Sequence, residues 1–162
     1  MKAHKHSMEQ VFAICQENRE KLKDFLTSLD KDTLFTVPEG FNNNIWWNIA
    51  HTVVTEQLLI YKLSGTPMQI SDTLVAKYRK GTFPEENPTE DEFNEILELL
   101  TTLPKRTLED YKNGVFSTYN AYQTSFGFEL TSVEDAISFN NFHEGMHFGY
   151  ILALKRAIQP NS

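Results

Sequence analysis

Apolar residues return at helical spacing in four long segments of this 162-residue chain, and no other feature constrains the fold as tightly. From about Ser7 to Leu29 the stripe is Met8, Val11, Phe12, Cys15, Leu22, Phe25, Leu26 and Leu29. From about Asn43 to Leu63 it is Trp47, Ala50, Val54, Leu58 and Tyr61, with Asn42 or Asn43 as the cap and Gly65 as the stop. A third helix opens at Thr89, where Thr89 and Glu92 form a capping box, and carries Phe93, Ile96, Leu97, Leu100 and Leu103. Pro104 is expected to kink or break it before it resumes toward Tyr111, and Gly114 ends it. A fourth opens at Thr131, with Glu134 completing a second box, and runs to about Ile158.

The connections are legible more coarsely. Pro38 and Gly40 break the chain after the first helix, and "SDTLVAKYRKG" predicts a short extra helix ending at Gly81. "VFSTYNAYQTSFGFEL" is too aromatic and irregular for a helix and reads as an ordered loop or short hairpin. The expected fold is all-α: a single domain over residues 1–162, built as a four-helix bundle with a short extra helix and a long ordered loop before the last helix. At least one connection is long enough to cross the bundle.

Composition bounds the function. Apolar residues make up 40%, which argues against disorder, and a formal charge of −7 argues against nucleic acid and anionic membranes as partners. "MKAHKH" at the start is read as a frayed terminus. One cysteine excludes an internal disulfide, and no run has the length of a membrane span or a signal-peptide core, so the expected location is cytoplasmic. There is no GxGxxG and no GxxxxGK, so a nucleotide cofactor is not expected.

The polar exceptions to the stripes carry the functional reading. The inward face of the fourth helix runs Val133, Ala136, Ile137, Asn140, His143, His147, Tyr150, Ile151, Leu154. His143 and His147 lie about 40° apart on it. The second helix contributes His51 between Trp47 and Val54. An inward histidine taken alone is ordinarily a satisfied core residue. Three together are costly to bury, at roughly 1–3 kcal/mol each without partners, and one shared cation relieves all of them. Three neutral imidazoles also leave coordination positions open, the catalytic rather than the structural arrangement. The implied cofactor is a divalent ion: zinc by default, with nickel, cobalt or iron also accepting imidazole.

"HEGMH" matches the HExxH of zinc proteases literally. The third ligand is missing, however. Ala153 stands where a metzincin would place its histidine, and no acidic residue follows His147. A zincin is therefore not expected, and Glu144 is assigned to solvent. Asn140 and Tyr150 are the candidate catalytic residues, the first to orient a ligand or substrate and the second to donate a proton or hydrogen bond. Cys15, on an apolar stripe, is read as inert core. Trp46 and Trp47 are read as core packing, with a pocket wall as the alternative.

"WWNIAHTVVTEQ" together with "HEGMHFGYILALKR" resembles the DinB-like superfamily of metal-dependent enzymes, which are distinct from the similarly named DNA polymerase. "GFNNNIWWNIAH" and "YKLSG" add to the resemblance, which extends over nearly the whole chain. It implies a four-helix bundle with His51, His143 and His147 as metal ligands and Gly149 and Ile151 completing the motif. Many members carry Gln after that glycine, where this chain has Tyr150. The resemblance further implies a small-molecule substrate, in some relatives a low-molecular-weight thiol. These include S-transferases that use bacillithiol or mycothiol and a mycothiol-dependent maleylpyruvate isomerase. It also implies a homodimer. The expected activity is a metal-dependent S-transferase or hydrolase; the alternative is a non-catalytic metal-binding or stress-response bundle.

Overall fold

A computed structural model describes residues 7–159, so the "MKAHKH" segment lies outside the described residues. Four long elements dominate: α1 (Met8–Ser28), α3 (Ile45–Glu56), α5 (Glu90–Lys112) and α6 (Val133–Ile158). Two short helices, α2 (Lys31–Phe35) and α4 (Asp72–Tyr78), sit in the connections. A two-stranded antiparallel hairpin, β1 (Tyr122–Gln123) with β2 (Glu129–Leu130), precedes α6. The chain is thus an all-α bundle, with one short helix more than expected because Asp30 caps "KDTLF" through the Thr33 N–H at 2.7 Å.

The caps refine the sequence reading. Asn44 begins α3, accepting from the Trp47 N–H at 2.7 Å. Thr89 caps α5 as expected, but the Glu92 carboxylate does not return to it; it holds Lys77 and the Tyr78 hydroxyl and so ties α4 to α5. The box expected at Thr131 is displaced by one residue: Ser132 is the cap, and Asp135 reaches back to the Thr131 N–H at 2.9 Å. Gly65 and Gly114 do close their helices, both at φ +68°. Pro104 does not break α5. It lies buried in an unbroken helix that also buries Leu100, Leu103 and Thr107, and tertiary burial of that face outweighs the roughly 3 kcal/mol that an interior proline costs.

α1 packs on α5 and α6, and α3 packs on the same two helices, so α1 stands diagonally across from α3. Two connections therefore cross the bundle, residues 29–44 and 113–132. After α3 the helix widens into a π-helical turn, Gln57–Lys62. π-turns of this kind recur at functional sites.

The core is layered. One apolar cluster gathers Leu22, Leu26, Val53, Ile96, Leu100 and Ile151; another gathers Phe12, Ile60, Tyr61, Ala136 and Ile137. Between them every long helix gives up a polar group at the same level. Arg19 of α1 is fully buried, and its Nη2 donates to Glu56 at 2.8 Å and to Glu144 at 2.6 Å. Thr107 of α5 donates to Glu56 at 2.6 Å, and Asn140 donates to Glu144 at 2.7 Å. Glu144 is thus 1% exposed rather than solvent-facing, which corrects the helical-wheel assignment. α6 is covered by α1 on one side and α3 on the other, so its buried arc is wider than a single stripe.

Candidate metal centre

Three helical turns bring the histidines together. His51 lies nearly two turns into α3, and the i, i+4 spacing of His143 and His147 aligns both on the α3-facing side of α6. The Nε2 atom of His143 is 3.2 Å from that of His51 and 3.1 Å from that of His147. Each residue can offer one nitrogen to a common point, and these nitrogens all lie within 4.8 Å of one another.

The other ring nitrogens fix which atoms face that point. Nδ1–H of His51 donates to the Tyr78 carbonyl at 2.6 Å. Nδ1–H of His147 donates to Asn48 Oδ1 at 2.8 Å. Asn48 is itself held by Nδ2, which donates to Asn43 Oδ1 at 2.9 Å and to the Asn44 carbonyl at 2.8 Å, so its oxygen is the end left for the imidazole. Both rings are therefore the tautomer with a bare Nε2 lone pair directed inward, and oxygen acceptors behind the ligating rings are the usual support of a histidine metal site. Trp47 stacks on His51 with ring centroids 4.6 Å apart and planes 11° apart, fixing the ring from its face.

Burial keeps the set neutral. It pulls His143 down to about 2, helped by the neighbouring His147 and His51, and His147 down to about 3, helped by His51. His51 is lowered too, chiefly by burial. At neutral pH protons do not compete for these nitrogens. The Thr55 hydroxyl stands 3.3 Å from His51 Nε2, and the Nε2 atoms that face each other at 3.2 and 3.1 Å repel unless a proton or a cation lies between them. His143 Nδ1 is buried without a partner whichever of the two lies there. A borderline divalent cation satisfies all three Nε2 atoms at once, so the donor set fits the ion expected from the sequence.

A cavity of about 540 Å³ opens on the imidazoles. Its wall includes Trp47, so that residue serves the pocket as well as the core, while Trp46 is wholly interior. Tyr122, Thr124 and Phe126 of the hairpin region form another side, which gives the aromatic segment before α6 a role as a wall.

Of the remaining residues singled out in the sequence, Asn140 is buried against Glu144 and Tyr150 is 38% exposed with its ring edge on Phe41, 5.6 Å between centroids. Neither lines the cavity. Cys15 is buried 3.8 Å from Glu144, and burial raises its thiol well above the ordinary range, so it stays protonated. Gly149 has open space where a Cβ would stand, while Ile151 is fully buried. Sequence reasoning passed over Asn48, Tyr78 and Arg19. Arg19 and Asn48 had a signal, a polar residue at stripe spacing between Cys15 and Leu22 and another between Trp47 and His51. The Tyr78 carbonyl had none, because a main-chain acceptor carries no side-chain signature.

The chain matches the model of the DinB superfamily over residues 15–151, and it belongs to that superfamily. No curated protein matches it. Among the described residues no helix is long and apolar enough to cross a membrane.

Proposed function

We propose that this DinB superfamily member is a single-domain, metal-dependent enzyme that uses His51, His143 and His147 as ligands and transforms a small molecule held in the adjoining cavity. The observation that carries the reading is the convergence of three neutral imidazoles, two with their Nδ1–H groups committed to oxygen acceptors, on the wall of that cavity. A divalent ion there, with zinc the default, would supply Lewis acidity that lowers the pKa of a thiol or water reaching its open side.

The protein's own groups do the rest. Tyr78 and Asn48 hold the imidazoles in the ligating tautomer. Trp47 and the hairpin aromatics exclude water and receive the apolar part of a substrate. Asn140 enters as a positioning residue through Glu144, the neighbour of His143 in α6. Tyr150 is proposed as a hydrogen-bond or proton donor at the outer edge of the same helix. A low-molecular-weight thiol is the favoured co-substrate, making the reaction an S-transfer; activation of water would make it a hydrolysis. The cavity favours an enzyme over a non-catalytic metal-binding or stress-response bundle, which needs no such space. The proposal includes a cytoplasmic location and a homodimer, the latter supported by Phe142 and Leu152 on α6, 49% and 47% exposed.

The test is turnover. Zinc- and nickel-loaded protein is incubated with monobromobimane and a bacterial thiol, and with a panel of esters and amides. Thiol-dependent bimane conjugation abolished by His143→Ala supports the reading. Metal uptake without any turnover across both panels contradicts it.

A further inference from the structure

The cavity wall is chemically one-sided. His51, Thr55, Leu58, Leu59 and Lys62 follow one another along a single strip of α3 and the π-helical turn. The strip spans eleven residues, about 16 Å between the α-carbons of His51 and Lys62 at helical rise. Lys80 also lines the cavity, two residues beyond Tyr78, whose carbonyl holds His51. Lys62 thus closes the strip that His51 opens, and Lys80 follows the segment that holds His51.

The rest of the wall is largely aliphatic and aromatic, with Phe126, Phe139 and Met146 lining the same cavity. No Asp or Glu lines the cavity, although the chain carries 22 acidic residues against 15 basic ones. Among the described residues, neither Lys62 nor Lys80 has a carboxylate within ion-pair distance; the ion-paired lysines, Lys31, Lys77 and Lys112, lie elsewhere. An acidic protein therefore presents a cavity whose only formal charges are positive. Both ammonium groups are solvent-exposed, so their attraction for an anion falls as salt is raised.

We propose that the cavity takes an elongated apolar molecule bearing an anionic group such as a carboxylate or sulfonate, drawn in by Lys62 and Lys80 and laid along the Leu58–Leu59 strip. This rests on the reading that the chemistry occurs at the three imidazoles, and it adds the class of molecule brought to them. Neutral apolar molecules of the same shape fill the same wall but gain nothing from the lysines.

Two fluorescent probes of the same ring skeleton separate these contributions: anilinonaphthalene sulfonate, an anion, and phenyl naphthylamine, its neutral counterpart. Titrated into the full chain, the sulfonate is expected to bind about tenfold tighter than the neutral probe, with the preference shrinking as salt is raised. Lys62→Gln and Lys80→Gln are each expected to weaken the sulfonate about threefold, and the double variant about tenfold. Binding of the neutral probe stays unchanged throughout. Both lysines are exposed, so the variants keep the fold. Equal binding of the two probes, or sulfonate affinity untouched in the double variant, overturns the proposal. Zinc uptake by calorimetry on the same proteins keeps the two readings apart. Zinc bound without any preference for the anion defeats the substrate class alone. A preference for the anion without zinc uptake defeats the metal centre alone.

Discussion

Arg19 and Glu144, 125 positions apart in sequence, meet as a two-point ion pair in the interior: Nε to Oε2 is 3.0 Å and Nη2 to Oε1 is 2.6 Å. The same Nη2 reaches Glu56 on the diagonally opposed helix, so one guanidinium joins α1, α3 and α6 at a single level. The two carboxylates hold Arg19 charged against the cost of burial, and burial in turn raises Glu56 above the usual carboxylate range. Arg19→Met removes the cation and leaves two buried carboxylates. The expected loss is about 3–5 kcal/mol, or on the order of 10 °C in Tm for a chain of this size, by thermal or urea unfolding. A loss below about 1 kcal/mol would show that the layer is not a joint of the bundle.

The stability of the metal-free protein should rise with pH across the acidic range. His143 and His147 are held neutral in the fold, near 2 and 3, whereas in the unfolded chain they take up protons near 6.5. Between those values the unfolded state binds more protons, so stability is full above about 6.5 and drains as pH falls toward 3. Each histidine contributes a slope of about 1.4 kcal/mol per pH unit. Urea midpoints of chelator-treated protein from pH 6.5 to 4.5 measure it, and His147→Gln should flatten the slope. The same slope in the variant and the parent would contradict the assignment.

The ligand geometry depends on Asn48. Asn48→Ala removes the acceptor behind His147 while leaving all three ligands in place. Zinc affinity, measured against a competing chelator, is expected to fall roughly 10- to 100-fold. Asn48→Asp keeps an acceptor for His147 but sets its second oxygen against Asn43 Oδ1 and the Asn44 carbonyl, so it should not restore the parent affinity. Unchanged affinity in Asn48→Ala would show that the ring is oriented without that bond.

Tyr150 and Asn140 separate cleanly by substitution. Tyr150→Phe keeps the ring on Phe41 and should leave stability within about 0.5 kcal/mol and zinc uptake as in the parent. The role proposed for its hydroxyl then appears as a fall in turnover of about 100-fold or more, and unchanged turnover removes it from the site. Asn140→Ala removes a hydrogen bond to Glu144 and should cost about 1–3 kcal/mol in stability, by urea unfolding.

The bundle was legible because four stripes of apolar residues repeat at helical spacing, and the inward positions of His51 and His143 follow from the same periodicity. Polar residues that interrupt a stripe were harder to read. Arg19 sits between Cys15 and Leu22 at stripe spacing, yet a charge is ordinarily assigned to solvent. Glu144 was sent outward because a wheel measures the angle to one face, whereas α6 is buried on two. Pro104 was read locally as a breaker, and tertiary packing overrode it. Cap positions slipped by a residue wherever Ser, Thr, Asn and Asp cluster, since neighbouring candidates compete on nearly equal terms. Lys62 and Lys80 carry no pattern at all; only the fold brings them to one cavity.

The central claim is that one cation is shared by three imidazoles. Crystals of untagged protein, with diffraction recorded on both sides of the absorption edge of the ion found by elemental analysis, test it most directly. One ion per chain is expected, with a single anomalous peak at the point where Nε2 of His51, His143 and His147 converge. A protein free of transition metal after growth in metal-replete medium, or a peak away from these three nitrogens, would contradict it.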